Sequence, residues 1–337
     1  SYTFSGAENV VCQVIDMFKE DSNIEMVYCS RDGAIREELE NRNIEFIALS
    51  RLSVTELKRV IAEYQPNIIH AHDVTASIIA GLAAGKTTVI SHMHVNHENM
   101  SKLNKKTLLY ILSTIKYKHI FWVSNSAYDN YYFHRNIKSK STVLYNVMNQ
   151  DSVIEKMRKD TETYNFDVVY VGRLAYQKNP ERLIKVLNKL VIKNPKIKIA
   201  IVGVGNLLEN TKKSAHDYGI QNNIEFLGYQ SNPLKILKDA KVMVMTSRYE
   251  GTPMCALEAM ALGVPIVSTP ADGMSDLVLD NYNGFLSDND DMLADKIHDI
   301  VNNINLRNRL STNSIKMFIE NNDLNEYKEI LKNVYQR

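Results

Sequence analysis

Short apolar runs alternate with helix-forming segments along most of this 337-residue chain. Apolar runs of about four to eight residues predict buried strands, and the segments between them carry apolar residues at helical spacing. Such alternation is typical of parallel sheets that are covered by helices on both faces. We therefore predict an α/β protein with strands at Ile24–Cys29, Asn67–Ala71, Thr88–Ser91, His119–Ser124, Asp167–Gly172, Ile197–Gly203, Ile224–Gly228, Lys241–Thr246 and Pro265–Ser268.

The chain is too long for one ordinary hydrophobic core, which favours two domains. An apolar run ends at Tyr145, and a polar stretch over residues 146–159 follows it. This composition is typical of a domain boundary. We predict a first domain over residues 1–150, a second domain over residues 151–320, and a polar helical tail over residues 321–337.

Composition excludes several classes of protein. The formal net charge of +1 gives no overall attraction to nucleic acid, and no apolar run is long enough for a transmembrane helix. The three cysteines, Cys12, Cys29 and Cys255, are scattered and lack the spacing of metal ligands. We interpret them as small buried side chains in a reducing compartment, and we expect a cytoplasmic protein without a nucleic-acid partner.

Residues 247–263 carry the clearest sign of a ligand site. A buried strand is predicted just before them, and a helix should begin near Pro253, because proline is tolerated in a first helical turn. Glu250 and Glu258 would then lie on either side of the helix N-terminus. Free N–H groups there suit a diphosphate, and carboxylates suit sugar hydroxyls. The pattern indicates an anionic ligand with hydroxyl groups, although Glu258 would also favour the helix without any ligand.

This stretch is similar to the E-x7-E signature of the retaining glycosyltransferases of family 4, which have the GT-B fold. Three further segments occur in the order and spacing of that family. They are Phe166–Leu174 with Lys178 shortly after it, Ile199–Gly205, and Ile224–Tyr229. The matches cover about a third of the chain. The resemblance implies two Rossmann-like, doubly wound domains that face each other across a cleft, an acceptor domain and a nucleotide-sugar-binding domain. It also implies that the C-terminal helix over residues 321–337 crosses back to the first domain.

The resemblance also implies roles for residues of the second domain. Arg173 and Lys178 follow a strand at its carboxyl end, where α/β sheets bind ligands, and both cations suit a diphosphate. Glu258 would hold the ribose hydroxyls and Glu250 the donor sugar. For Gly205, a turn without a ligand is an equal alternative. The other implied donor contacts are Gly172, Gly228, Tyr229, Gly251, Thr252, Pro253 and Met254.

In the first domain, Gly6 is the candidate phosphate contact, because a glycine before a helix lets backbone N–H groups reach an anion. The family usually has two adjacent glycines here, and this chain has Ser5-Gly6. A GT-B first domain begins with a strand before this loop, whereas the chain begins at Ser1, inside the predicted loop. We expect that this strand was trimmed.

Two predicted strands end in histidines, His70 and His72 on one and His92 and His94 on the other. The histidines within each pair are two residues apart and so share a face, but no cysteine or carboxylate stands at ligand spacing. We therefore expect no metal. The resemblance implies that His94, or else His92, lies in the interdomain cleft and orients the donor sugar. A structural, hydrogen-bonded histidine is the alternative.

Residues 99–140 contain eight basic residues and one acid, an excess of +7 in a nearly neutral chain. Apolar residues recur at helical spacing between Leu103 and Ile115. A basic amphipathic helix of this kind is typical of proteins that lie on an anionic membrane surface. The alternative is an ordinary helix whose basic face is in solvent and whose apolar stripe packs against the core.

Together these patterns predict a retaining glycosyltransferase that needs no metal and no cofactor. We expect a nucleotide-diphosphate sugar, preferably a UDP-sugar, as donor of a hexosyl or N-acetylhexosaminyl group. The expected acceptor is a saccharide hydroxyl, on a lipid-linked precursor of a capsular or other surface polysaccharide at the inner face of the cytoplasmic membrane. The alternative is a noncatalytic partner subunit that binds a nucleotide sugar. A nicotinamide dehydrogenase is disfavoured, because no strand precedes a G-x-G-x-x-G motif.

Overall fold

The structure, a computed structural model, describes residues 6–94 and 100–336. Two predicted features fall outside the described residues. One is the loop before Gly6, which includes Ser5, and the other is the segment 95–99, where the basic stretch begins. The chain divides into two compact units, Ser1–Asn146 with Leu324–Arg337, and Val147–Asp323. The sequence predicted boundaries at residues 150 and 320.

The first unit contains two parallel sheets, of two and of four strands. The strands are β1 (Tyr28–Arg31), β2 (Phe46–Leu49), β3 (Ile68–His72), β4 (Thr88–Met93), β5 (Tyr117–Trp122) and β6 (Ser141–Val143). The helices are α1 (Gly6–Phe18), α2 (Ile35–Asn41), α3 (Val54–Tyr64), α4 (Val74–Ala83), α5 (Lys105–Ser113) and α6 (Asn125–Asp129). Short 3-10 helices cover Thr114–Lys116 and His134–Lys140.

The second unit is built on one six-stranded parallel sheet. The strands are β7 (Val168–Val171), β8 (Ile199–Val202), β9 (Ile224–Gly228), β10 (Val242–Met245), β11 (Ile266–Ser268) and β12 (Gly284–Leu286). The helices are α7 (Gln150–Arg158), α8 (Pro180–Lys193), α9 (Leu208–Asp217), α10 (Leu234–Asp239), α11 (Met254–Ala261), α12 (Met274–Leu277), α13 (Asp290–Asn302) and α14 (Ile304–Asn321). Short 3-10 helices cover Tyr176–Lys178 and Gln221–Asn223.

The strands of this sheet lie in the order β12-β11-β10-β7-β8-β9. Counted from the first strand of the unit, this is the 3-2-1-4-5-6 order of doubly wound dinucleotide-binding folds. Val168 and Val244 belong to the core that the sheet shares with α8 and α13, and the alternate residues Val169 and Met243 are also fully buried. Burial of alternate residues means that both faces of the sheet are covered. The predicted α/β class with Rossmann-like sheets is confirmed.

The last helix, α15 (Leu324–Gln336), packs in the first unit rather than in the second. The Tyr335 ring lies 5.5 Å from the Phe18 ring of α1, and Lys332 Nζ lies 2.6 Å from a carboxylate oxygen of Asp21. The last residues of the chain therefore complete the core that the first residues begin.

Most predicted strands are present, with ends that differ by no more than two residues. The prediction of a strand at Ile24–Cys29 was wrong, because β1 begins at Tyr28, where the pairing with Phe46 of β2 starts. Strands β2, β6 and β12 were not predicted. Cys29 is exposed, which corrects its interpretation as a buried side chain. Within the described residues, no helix combines the length and hydrophobicity needed to cross a bilayer.

Candidate active site

The candidate site of the second unit lies where the strand order of its sheet reverses, between β7 and β10. Helices that follow neighbouring strands leave toward opposite faces at this point, which opens a crevice beyond the carboxyl ends of the strands. Arg173 and Lys178 follow β7, and Glu250 follows β10. The topology thus explains why residues some 70 positions apart in the sequence meet here.

Lys178 and Glu250 form a buried ion pair. Lys178 Nζ lies 2.6 Å from Glu250 Oε1, and the two side chains are 13% and 4% exposed. Ser247 Oγ donates a hydrogen bond of 2.5 Å to the same carboxylate oxygen. Burial alone would lower the pKa of Lys178, but the carboxylate of Glu250 more than offsets this, so the pKa lies above its usual value. The cation predicted for the diphosphate and the acid predicted for the sugar are therefore held together.

Further hydrogen bonds join the loop after β7 to the loop after β10. The Gln177 side chain donates to the carbonyl oxygen of Tyr249 at 3.1 Å, and the Arg248 N–H donates to the carbonyl oxygen of Gln177 at 2.8 Å. Thr246 Oγ1 donates to the carbonyl oxygens of Lys178 and Asn179. These bonds fix the two loops to each other, so the ion pair has a rigid frame.

Glu258 lies in the second turn of α11 and is half-buried. Burial raises the pKa of its carboxyl to about 7, against a weak opposing effect of Lys156. No side chain of the described residues donates a hydrogen bond to this carboxylate. Near neutral pH the group is therefore close to half protonated and can both donate to and accept from a hydroxyl.

The four predicted charges share one neighbourhood. The charges of Lys178, Glu250 and Glu258 all act on the Cys255 thiol, whose pKa burial raises to about 12. Arg173 lies close enough to Lys178 to oppose its protonation, although burial and Glu250 have larger effects on that pKa. The Arg173 side chain is exposed and forms no ion pair with any described residue.

Glycines allow the loops above β7, β8 and β9 to approach one another. A Cβ atom at Gly205 would lie 2.2 Å from the carbonyl oxygen of Leu174, and one at Gly203 would lie 2.0 Å from that of Gly172. Gly228 has a φ of +65° and accepts a hydrogen bond from the Gly203 N–H at 2.7 Å. The contact of Gly205 with Leu174 requires a glycine whether or not a ligand is present.

The remaining predicted donor contacts surround these loops. Tyr229 follows β9 and is exposed, as expected of a residue that could stack on a base. Gly251, Thr252, Pro253 and Met254 are buried, and Pro253 is the N-cap of α11. The prediction of a helix start at this proline is confirmed. A proline cap supplies no side-chain acceptor for the N–H groups in the first turn of α11, and the Ala256 N–H donates to the carbonyl oxygen of Pro253 at 3.0 Å.

In the first unit, His70 and His72 of β3, His92 of β4 and His94, which follows β4, stack in a ladder. Ring centroids of neighbouring histidines lie 4.4 to 5.4 Å apart. His92 has no exposed surface, His94 is 5% exposed, and His94 Nε2 lies 2.7 Å from His72 Nδ1. Burial, together with the neighbouring rings, holds the pKa of His92 well below its usual value, so the ring is neutral at pH 7. The register of β3 and β4 places His72 beside His92, a pairing that the spacing within either strand does not show.

One predicted position of the first unit remains to be placed. Gly6 is the exposed first residue of α1. The sequence did not identify three residues of the site, Ser247, Gln177 and Thr246. For Ser247 and Thr246, their position directly after a strand could have indicated a place in the site. The roles of the predicted site residues in binding or catalysis stay predictions.

Comparisons with known proteins agree with this geometry. A model of "Glycosyltransferase Family 4" matches residues 4–152, and a model of "Glycosyl transferases group 1" matches residues 153–317. A glycosyltransferase of Methanocaldococcus jannaschii, itself uncharacterized, is 27% identical over 64% of this chain. A poly(ribitol-phosphate) alpha-N-acetylglucosaminyltransferase of Staphylococcus aureus is 35% identical over 40% of it. The chain spans 58% of the length of the first of these relatives and 28% of the second.

Among solved structures, HepE of Anabaena in complex with UDP-glucose superposes with a TM-score of 0.86 at 19% identity. The superposition covers 100% of this chain and 97% of HepE. At this identity the likeness shows the fold, which is GT-B. Because the two family models follow each other along residues 4–317, we conclude that this chain belongs to the glycosyltransferases of family 4.

Proposed function

We propose that the protein transfers a hexosyl or N-acetylhexosaminyl group from a UDP-sugar to a saccharide hydroxyl with retention at C1. The observation that carries this proposal is the cluster of Arg173, Lys178, Glu250 and Glu258 at the strand-order reversal of the second unit. Two cations suit a diphosphate, and two acids suit the hydroxyls on either side of it. A nucleotide-diphosphate sugar has this sequence of groups.

In the proposed reaction, the bond between C1 and the diphosphate oxygen breaks, and its electron pair leaves with the diphosphate. Lys178 and Arg173 neutralise the charge that develops on the leaving group, which is the largest expected contribution to catalysis. The acceptor hydroxyl forms the new bond to C1 on the face that the diphosphate leaves, and its proton passes to the departing diphosphate oxygen. Because two side-chain cations supply the neutralisation, we propose that the reaction needs no metal ion and no cofactor.

The other residues bind and orient the donor in this proposal. Glu258 holds the ribose hydroxyls, and its near-neutral pKa lets it donate or accept. Glu250 and the backbone of residues 251–254 hold the sugar, while Gly228 and Tyr229 lie against the base. Gly172 and Gly205 have no side chains, so the loop backbone can approach the nucleotide closely. In the first unit, His94 orients the sugar, and Gly6 offers backbone N–H groups to a phosphate.

Two of the similar proteins support the choice of substrates. HepE was solved with UDP-glucose, and the name of the S. aureus relative states an N-acetylglucosaminyl group and a poly(ribitol-phosphate) acceptor. We propose by analogy that this chain works on a lipid-linked precursor of a surface or capsular polysaccharide, at the cytoplasmic face of the membrane.

The decisive experiment combines a donor screen with one charge substitution. UDP-sugars that bind the native state should raise the melting temperature by mass action. With the donor that gives the largest shift, Arg173→Met should lower kcat about 10²–10³-fold, because it removes charge from the leaving-group site. Arg173 is exposed and unpaired among the described residues, so the melting temperature of the free protein should not change.

Arg158→Met, an exposed arginine on α7, is the matched control and should retain full activity. Proton NMR of the product should show the anomeric configuration of the donor, and EDTA should leave the rate unchanged. Donor binding without any turnover would favour the noncatalytic binding subunit. Loss of activity in EDTA would refute metal independence, and an inverted product would refute retention.

The surface of α5 supports docking on an anionic membrane. The helix buries Thr107, Tyr110 and Ser113 and packs Leu109 and Ile111 against the core, whereas Leu108 and Leu112 are exposed. Leu103 and Ile115, just before and after the helix, are also exposed. Among the described residues, no acid forms an ion pair with Lys102, Lys105, Lys106, Lys116, Lys118, Arg135, Lys138 or Lys140. Exposed leucines beside unpaired cations are typical of helices that lie in a membrane interface.

Leu112→Glu should reduce retention by anionic liposomes about tenfold or more, because one leucine side chain contributes about 1.5–3 kcal/mol on burial. Ile192→Glu is the matched control, since Ile192 is 72% exposed on α8 of the second unit and Leu112 is 63% exposed. Sedimentation with vesicles of anionic lipid at low salt measures the difference. Equal retention of the two variants, or no retention of the unmodified protein, would contradict membrane docking through α5.

A further inference from the structure

The histidine ladder of the first unit contains nitrogen atoms that hydrogen bonding does not explain. Both ring nitrogens of His92 and the Nε2 atom of His70 are buried and have no hydrogen-bond partner. A buried polar atom without a hydrogen-bond partner lowers the free energy of unfolding by about 1–3 kcal/mol. Three such atoms on two neighbouring rings, beside a third histidine, are an unusual arrangement for a purely structural cluster.

The outer nitrogen atoms of two rings are already engaged. His70 Nδ1 lies 2.8 Å from the Tyr335 hydroxyl of α15, and His72 Nδ1 lies 2.7 Å from His94 Nε2. When Nδ1 carries the proton in each of these contacts, Nε2 carries the lone pair. Metal-binding histidines commonly have such a second hydrogen bond, which fixes the tautomer and the orientation of the ring.

The backbone around the ladder is also held in an unusual conformation. Asp73, directly after β3, has a φ of +70°, which non-glycine residues rarely adopt. Its carboxylate accepts a hydrogen bond from the His94 N–H at 3.2 Å, and its own N–H donates to the carbonyl oxygen of His92 at 2.8 Å. These contacts tie the carboxyl ends of the two histidine strands together.

We propose that His70, His72 and His92 form a binding site for a transition-metal ion, with Zn²⁺ as the preferred occupant. One nitrogen from each ring belongs to a group in which all atoms lie within 4.8 Å of one another. Tetrahedral ligands with Zn–N distances of about 2.0–2.1 Å lie about 3.3–3.4 Å apart, so the rings must close slightly around the ion. Imidazole suits zinc, and three protein ligands leave a fourth position for water.

The three proposed ligands belong to the first unit, whereas the charged residues of the proposed donor site, Arg173, Lys178, Glu250 and Glu258, belong to the second. His94 is outside the ligand set and supports His72 through the shared hydrogen bond. His92, the second candidate for orienting a sugar, is a metal ligand in this scheme. The metal proposal does not depend on glycosyl transfer, and its test uses binding rather than activity.

The test is a titration of the full-length protein with Co²⁺ and Zn²⁺ after removal of metals by a chelator. Co²⁺ should bind at one ion per chain and give the intense visible bands of a tetrahedral site, and Zn²⁺ should displace it. His92→Ala should weaken binding at least about 100-fold, since even the loss of a supporting residue costs about 10–100-fold. His216→Ala, an exposed histidine on α9 of the second unit, is the matched control and should bind normally.

Tyr335→Phe provides a second variant that leaves all three ligands in place. It removes the hydrogen bond to His70 Nδ1 and should weaken Co²⁺ binding about tenfold or more. Circular dichroism establishes that each variant is folded, and if His92→Ala does not fold, Tyr335→Phe decides alone. The proposal is wrong if the unmodified protein binds neither ion, or if both ladder variants bind as tightly as His216→Ala.

Discussion

Lys178→Met is expected to lower the free energy of unfolding of the second unit by about 3–5 kcal/mol. The substitution leaves the Glu250 carboxylate, which is 4% exposed, without its cation. Ser247 still donates a hydrogen bond, but one neutral hydroxyl does not compensate a buried charge. Chemical denaturation of the variant and the unmodified protein measures the loss.

The double variant Lys178→Met/Glu250→Gln separates the charge effect from the loss of side-chain packing. It removes both charges, so it should recover most of the stability that Lys178→Met loses. Lys185→Met is the surface control, because Lys185 forms an exposed pair with Glu181 and such pairs contribute about 0–1 kcal/mol. If Lys178→Met were no less stable than Lys185→Met, the ion pair would not be the buried, rigid element described above.

Gly205→Ala should destabilise the second unit by about 3 kcal/mol or more and weaken nucleotide binding as well. The added Cβ atom would lie 2.2 Å from the carbonyl oxygen of Leu174 and 2.6 Å from its carbonyl carbon. Both are backbone atoms, so the loop after β7 has to move, and Arg173 moves with it. Thermal unfolding and titration with UDP measure the two effects.

Gly219→Ala is the control for this prediction. Gly219 has a φ of +72°, but a Cβ atom there meets nothing within 4 Å. The substitution should lower the free energy of unfolding by only about 1–2 kcal/mol, because alanine is strained in the left-handed conformation, and it should leave the affinity for UDP unchanged. Equal behaviour of the two variants would show that the approach of Gly205 to Leu174 is not rigid.

The second unit could be predicted well because its signals are local. Strands β7, β8 and β10 are continuous apolar runs, and parallel strands bring their carboxyl ends to one edge, so Arg173 and Glu250 could be placed on the same side without coordinates. The pairing of Lys178 with Glu250 was not predicted, because it depends on which strands are neighbours. Strand order is not encoded in any single segment.

Contacts between distant residues could not be predicted in either unit. The function of Gly205 had two alternatives and the histidines had several, because each depends on a contact between distant residues. His72 lies opposite His92 only through the register of β3 and β4, and Gly205 meets Leu174 across two loops. Strand β6 begins with two hydroxyl side chains and β12 begins with Gly284, so neither is the apolar run that predicts a buried strand.

The position of α15 makes the second unit an insertion within the first. The polypeptide leaves the first unit after Asn146 and returns at Leu324, so two covalent connections join the units instead of one. A first unit excised at residue 146 would lack the partners of Phe18, Asp21 and His70. To isolate that unit intact, the final helix has to be rejoined by a circular permutation or a short linker.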